Sequence, residues 1–132
     1  MSTAQPPTAQ PPTAEAAVTE RERQDCPVTG VLRRVGDKWS PVVIRVLARR
    51  PHGFNELDRA IEGISRRVLT RTLRGLEAEG YVHRAAAGGR PARVEYSLTE
   101  RGDSLRQQLL GLGQWALAHR DATAEAAGPA PA

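Results

Sequence analysis

Ile64-Ser65-Arg66-Arg67-Val68-Leu69-Thr70-Arg71-Thr72-Leu73-Arg74-Gly75-Leu76-Glu77, stopped at Gly80, decides how this chain folds. Val68, Leu69, Leu73 and Leu76 are spaced so that they share one face of a helix. Arg66, Arg67, Arg71 and Arg74 fall off that face, at positions where a hydrophobic core has no use for them. Ser65 is the expected cap, because its hydroxyl oxygen can accept from an N–H of the first turn. Beyond the stop, two short strands are expected over Tyr81–Arg84 and Arg93–Leu98, around the tip Gly88-Gly89-Arg90-Pro91. A basic rod with a basic loop beside it suits a duplex, the rod in the major groove and the loop on the neighbouring backbone.

Working outward, Cys26-Pro27 opens a helix over about Val28–Val35, with Val28, Val31, Leu32 and Val35 on one side and a break at Gly36-Asp37. A second helix runs from Lys38 or Ser40 to Arg49, with Ser40 as cap and Pro41 in the first turn. Pro51 ends it, and His52-Gly53-Phe54 makes a very short strand. Asn55 is the expected cap of a third helix, Glu56–Ile61, and Glu62-Gly63 turns the chain into the arginine helix. The order is helix, helix, short strand, helix, helix, strand, loop, strand, long helix. A mainly α chain with a small β-hairpin in this order is a winged helix-turn-helix.

The last helix is expected from Thr99 to about His119. Leu105, Leu109, Leu112 and Ala116 form a stripe along it, and Leu110, Trp115 and Leu117 lie off that stripe. Such an apolar surplus on a terminal helix predicts a second subunit, with Leu105, Leu109, Leu112, Trp115 and Ala116 at the contact. The alternative is that Trp115 and Leu117 cover the first helix within one chain.

At 132 residues the chain has room for one domain. Residues 1–23, opening on a repeated Thr-Ala-Gln-Pro-Pro, and residues 121–132, rich in Ala, Thr, Gly and Pro, are too poor in apolar side chains to offset the entropy of ordering them. Disordered tails are therefore expected around a folded segment 24–120. The net charge of +4 says little by itself. Its distribution says more: between Ser65 and Arg93 stand seven arginines against two acids, Glu77 and Glu79. Arginine carries the planar fork that fits phosphate and guanine.

No apolar run is long enough to cross a bilayer and no signal-peptide pattern opens the chain, so a cytoplasmic location is expected. The single cysteine, Cys26, excludes an intrachain disulfide, and His52, His83 and His119 are not spaced as metal ligands. No nucleophile-base or paired-carboxylate arrangement is visible, and Gly88-Gly89 belongs to the hairpin tip rather than to a phosphate-binding loop. Neither enzyme, metal nor cofactor is expected.

Taken together, Cys26-Pro27, Gly36-Asp37-Lys38-Trp39, Phe54-Asn55-Glu56-Leu57, Gly63-Ile64-Ser65, Gly80-Tyr81-Val82 and Val94-Glu95-Tyr96-Ser97-Leu98-Thr99 with Gly102 resemble the HxlR-type regulators, winged-helix relatives of the MarR group. The resemblance spans about Asp25 to Trp115. Pro41 and Ala92 depart from it, the first inside a helix and the second in the wing. It implies a homodimeric transcription factor, often a repressor, that pairs through its first and last helices and binds double-stranded DNA. It also implies an oxidant or small-molecule effector, since members that sense oxidants or electrophiles use a cysteine at the position of Cys26.

For base readout, Arg66, Arg67 and Arg71 can each reach guanine O6 and N7, and Ser65 and Thr70 can bind bases or phosphates. Arg74, a turn further on, is assigned to the backbone. In the wing, Arg90 and Arg93 can enter a minor groove or pair with phosphates. Lys38 can hold a phosphate with the N–H groups that open its helix. At the entry to a helix, Cys26 is placed where the dipole favours the reactive thiolate. The rival reading is a winged-helix docking module whose arginines meet an acidic protein partner.

Overall fold

The computed structural model describes residues 17–122. Its elements are helix α1 (Glu20–Gln24), α2 (Pro27–Val35), α3 (Ser40–Leu47), strand β1 (His52–Gly53), α4 (Phe54–Ala60), α5 (Arg66–Ala78), β2 (Val82–Ala87), β3 (Arg93–Leu98) and α6 (Glu100–Ala118). This is the winged helix-turn-helix order, with α4 and α5 as the turn-linked pair.

The arginine helix forms as its periodicity predicts. Leu69, Leu73 and Leu76 are completely buried against Val35, Val43, Ile44 and Leu57, which makes α5 one wall of the core. Ser65 Oγ accepts from Val68 N–H at 3.1 Å, so the first turn is capped by its own sequence. Gly63, at φ 90°, makes the turn from α4, and Gly80, at φ 80°, ends α5; both angles favour glycine because a Cβ would crowd the backbone.

The other caps differ from the sequence reading. Ser40 is not the cap of α3 but its first residue, buried, while Asp37 Oδ2 accepts from the N–H groups of Trp39 and Ser40 at 3.1 and 3.2 Å. Asn55 does not cap α4, which starts earlier, at Phe54; Glu56 instead reaches back to accept from Gly53 N–H at 2.9 Å. In both cases a carboxylate two or three residues away makes a charge-assisted bond at the helix start, while Ser40 and Asn55 lie inside the helices.

The hairpin joins β1 in a three-stranded antiparallel sheet of order β1-β3-β2, with His52 opposite Tyr96 and Ala87 opposite Arg93. β2 starts later than expected and runs on through Ala85, Ala86 and Ala87, poor strand formers that hold this conformation by pairing with β3. Thr99 Oγ1 caps α6 through Gly102 N–H at 2.9 Å.

Two helices divide their apolar residues between interior and solvent. On α2, Val31 and Val35 pack on the core while Val28 and Leu32 are 62 % and 51 % exposed. On α6, Leu105 and Leu109 pack on this chain's own core, whereas Leu110, Leu112, Trp115 and Leu117 are at least half exposed. The stripe expected at a subunit contact is therefore split: Leu105 and Leu109 turn inward, and Leu112, Trp115 and Ala116 turn out.

Of the tail expected over 1–23, residues 1–16 lie outside the described residues; within the rest, Thr19 caps the wholly exposed single turn α1. Most of 121–132 also lies outside them. Among the described residues, no helix is long and apolar enough to cross a membrane.

Candidate nucleic-acid interface

With the apolar face of α5 buried, its opposite face carries Arg67, Arg71 and Arg74, all exposed. At 100° per residue they span a narrow stripe, Arg67 central with Arg71 and Arg74 on its flanks. Each flank meets a basic side chain from another element. Arg71 lines a cleft with Arg33 and Lys38 at the junction of α2 and α3. Arg74 lines a cleft with Thr70 and with Arg84 of β2. The cations of this face are thus drawn from α5, α2, β2 and the loop between α2 and α3, and Arg84, counted in the sequence but given no role there, belongs with them. The cleft that Arg84 shares with Thr70, Arg74 and Glu77 sets it beside α5.

Arg66 behaves differently from its neighbours. Its Nη1 donates to Asn55 Oδ1 at 3.0 Å and lies 3.2 Å from Asp58 Oδ2, and its guanidinium carbon sits 4.7 Å from the centre of the Phe54 ring. The structure turns it back onto α4. Ser65 and Thr70 are also committed locally: Ser65 Oγ to the cap, and the Thr70 hydroxyl as donor to the Arg66 carbonyl at 2.9 Å.

The wing places Arg90 at its exposed tip, and Arg93 borders a cleft between the wing and α4 that also contains Arg59. Lys38 is exposed beside the start of α3, its ammonium 5.0 Å from the Trp39 ring centre. The helix N–H groups expected to assist it at a phosphate, those of Trp39 and Ser40, are taken by Asp37. Partial burial pushes the Asp37 carboxyl up, but the Ser40 hydroxyl and these N–H groups outweigh it and hold the group below its ordinary value.

Cys26, half-buried, occupies the N-cap of α2. Its side chain makes no capping hydrogen bond, but the nearby Thr29 N–H, Thr29 hydroxyl and Val28 N–H favour its anion and hold the thiol below its ordinary value, against a smaller effect of burial. Among the described residues, no group of His, Cys, Asp and Glu side chains is placed to hold a metal ion.

Comparison with known proteins identifies the family. The model of the HxlR-like helix-turn-helix family matches residues 34–124. The chain is 38 % identical over 99 residues to the HTH-type transcriptional regulator YybR of Bacillus subtilis, covering 75 % of this chain and 79 % of that protein. Among solved structures it is similar to the redox regulator HypR in its reduced form, with TM-score 0.68 and 37 % identity over 76 % of this chain and 99 % of the other. It is also similar to the reduced form of the transcriptional regulator YodB from B. subtilis, with TM-score 0.64 and 32 % identity over 69 % and 90 %. The family match and the basic face of the turn-linked helix lead to one conclusion: this chain belongs to the HxlR-like helix-turn-helix family of DNA-binding transcriptional regulators.

Proposed function

We propose that this regulator works in the cytoplasm as a homodimeric repressor, without catalysis, on a roughly palindromic operator. The observation that carries the reading is the stripe Arg67–Arg71–Arg74 on the second helix of the turn-linked pair, with the opposite face of that helix wholly committed to the core. Arg67 and Arg71 read guanines, while Arg74, Arg84 and Lys38 grip phosphates and Arg90 and Arg93 hold the neighbouring backbone or minor groove. Arg66 is assigned to the α4–α5 turn rather than to bases, and Ser65 and Thr70 contribute what acceptor capacity their local bonds leave.

The dimer follows from the exposed leucines and Trp115 of α6 together with Val28 and Leu32 of α2, which pack against the same helices of a second copy. Two recognition helices related by a two-fold then meet half-sites about ten base pairs apart. Cys26 is the redox switch. Its favoured anion supports that reading, as does similarity to HypR, described as a redox regulator, and to YodB, solved also after diamide treatment. As the chain's single cysteine, and given a two-electron oxidant of the diamide class to take up the electrons and thiol protons, it forms either an intersubunit disulfide or a mixed disulfide with a small thiol.

A gel shift with the DNA upstream of the gene tests the reading. Arg71→Ala is expected to lose about 1–3 kcal/mol on the specific site and much less on random duplex. Equal losses place Arg71 on the backbone, and the absence of any retarded band at moderate salt leaves only the protein-docking alternative. Diamide is expected to change binding by the wild type and not by Cys26→Ser; identical responses remove the switch.

A further inference from the structure

The two helices with exposed apolar faces, α2 and α6, converge on a single residue at the C-terminal end of the recognition helix. From α2, Arg34 Nε lies 3.4 Å from the Glu79 carboxylate. From α6, Arg101 Nε donates to the Glu79 carbonyl at 2.9 Å, and its guanidinium carbon sits 5.1 Å from the Tyr81 ring centre. Thr99, which caps α6, donates its hydroxyl to the Gly80 carbonyl at 2.6 Å. Glycine at position 75 belongs to the same arrangement, because a Cβ there would collide with Arg34 Nη1. Glycine is a poor residue for a helix interior. The Arg34 guanidinium crosses α5 at this glycine and would have to shift if a Cβ were added.

The geometry points to Arg34 and Arg101 as positioning residues that carry the placement of α2 and α6 to α5 and so set the spacing between the two half-sites; this rests on the dimeric DNA-binding reading above. The Arg34–Glu79 pair is half-exposed and Arg101 is exposed, so each contact is modest by itself. Their effect comes from leverage. α5 has 13 residues and so is about 20 Å long, and a tilt of about 10° at its clamped end moves the other end by about 3.5 Å. That is the rise of about one base pair. The apolar faces of α2 and α6 fix where the two-fold lies, and the clamp fixes how α5 is held relative to it.

The test uses the full chain and duplexes whose half-sites are separated by spacers of different length. Wild type is expected to prefer one spacing sharply. Arg34→Ala, Arg101→Ala and Gly75→Ala are expected to reduce that preference about fivefold or more while selecting the same half-site sequence. Gly75→Ala separates positioning from folding, since alanine improves helix propensity while displacing the guanidinium from its present path; its melting temperature should equal or exceed that of wild type. Spacing preferences unchanged in these variants overturn the inference. Hydrogen exchange of the DNA-free protein reads the clamp separately: amides of residues 75–81 should exchange faster in Arg34→Ala and Gly75→Ala, and unchanged protection also overturns it. A wild type that retards no duplex defeats the DNA-binding reading and the spacing claim, whereas the exchange result still decides whether the clamp exists.

Discussion

The Arg66 guanidinium lies 3.2 Å from the Asp58 carboxylate, across the turn that joins α4 to α5. With Asn55 accepting from the same nitrogen and Phe54 beneath the guanidinium, one side chain fastens the two halves of the helix-turn-helix. Arg66 is 62 % exposed at its side chain, so the ion pair is screened and its share is small. Arg66→Ala is expected to cost about 1 kcal/mol in urea unfolding. A double-mutant cycle with Asp58→Ala should show coupling of several tenths of a kcal/mol. Base preference, measured by selection from random duplexes, should survive Arg66→Ala and change in Arg71→Ala. A lost preference at one base pair in Arg66→Ala would return that arginine to the reading surface.

The outer face of α6 leads to an expectation about assembly. Leu112→Glu with Trp115→Glu places charge where the exposed leucines and indole cluster, and Leu105 and Leu109 still serve the core. Sedimentation should then report a folded monomer, with affinity for the palindromic site reduced and affinity for a single half-site retained. A variant that stays dimeric moves the interface elsewhere.

Gly102 gives the sharpest steric prediction. A Cβ at this position would run into the Tyr81 carbonyl, and backbone cannot step aside as a flexible arginine can. Gly102→Ala is expected to destabilise by about 1–3 kcal/mol, through displacement of α6 from the start of β2. Thermal unfolding measures it, and a melting temperature equal to that of wild type would contradict the packing described.

Acid should weaken the fold through three carboxylates. Glu56 is held below its ordinary value mainly by Gly53 N–H and then by Arg50, and Asp103 mainly by Arg106 and then by Gln107. Asp37 is lowered by the N–H groups that begin α3 and by Ser40, despite its partial burial. A folded value below the unfolded one means the stabilisation is complete above about pH 5. It is lost as the pH falls through about 4 and down to the folded values. Urea midpoints should therefore be flat near neutrality and fall below pH 5. Asp37→Ala should lose about 1 kcal/mol of cap at pH 7 and show a shallower acid decline.

Cys26 titration is a separate check. Iodoacetamide alkylation across pH should give an apparent pKa below that of a free cysteine, and Thr29→Val should raise it part of the way, since it keeps the Thr29 N–H, the largest influence on the anion, and removes the hydroxyl, the second. A midpoint unmoved by Thr29→Val would remove the hydroxyl from the argument.

Local periodicity and turn chemistry determined much of this protein by themselves. Apolar spacing in α5 named Val68, Leu69, Leu73 and Leu76 as the inner face, of which Val68 is only partly buried, and Arg66, Arg67, Arg71 and Arg74 as lying off it, because a helix imposes those positions wherever it forms. Which partner each side chain takes, near in sequence or far, was decided only by the tertiary structure. The carboxylates of Asp37 and Glu56 stand in place of the expected caps, Asp58 withdrew Arg66 from the arginine face, and a shared cleft sets Arg84 beside it. Leu105 and Leu109 were divided from Leu112 and Trp115 because the core reaches only the first half of α6, and a stripe of leucines looks the same on either side of that limit. Helical spacing is a property of neighbours in sequence, whereas a charge or a buried face is settled by whichever partner the folded chain brings within a few ångströms.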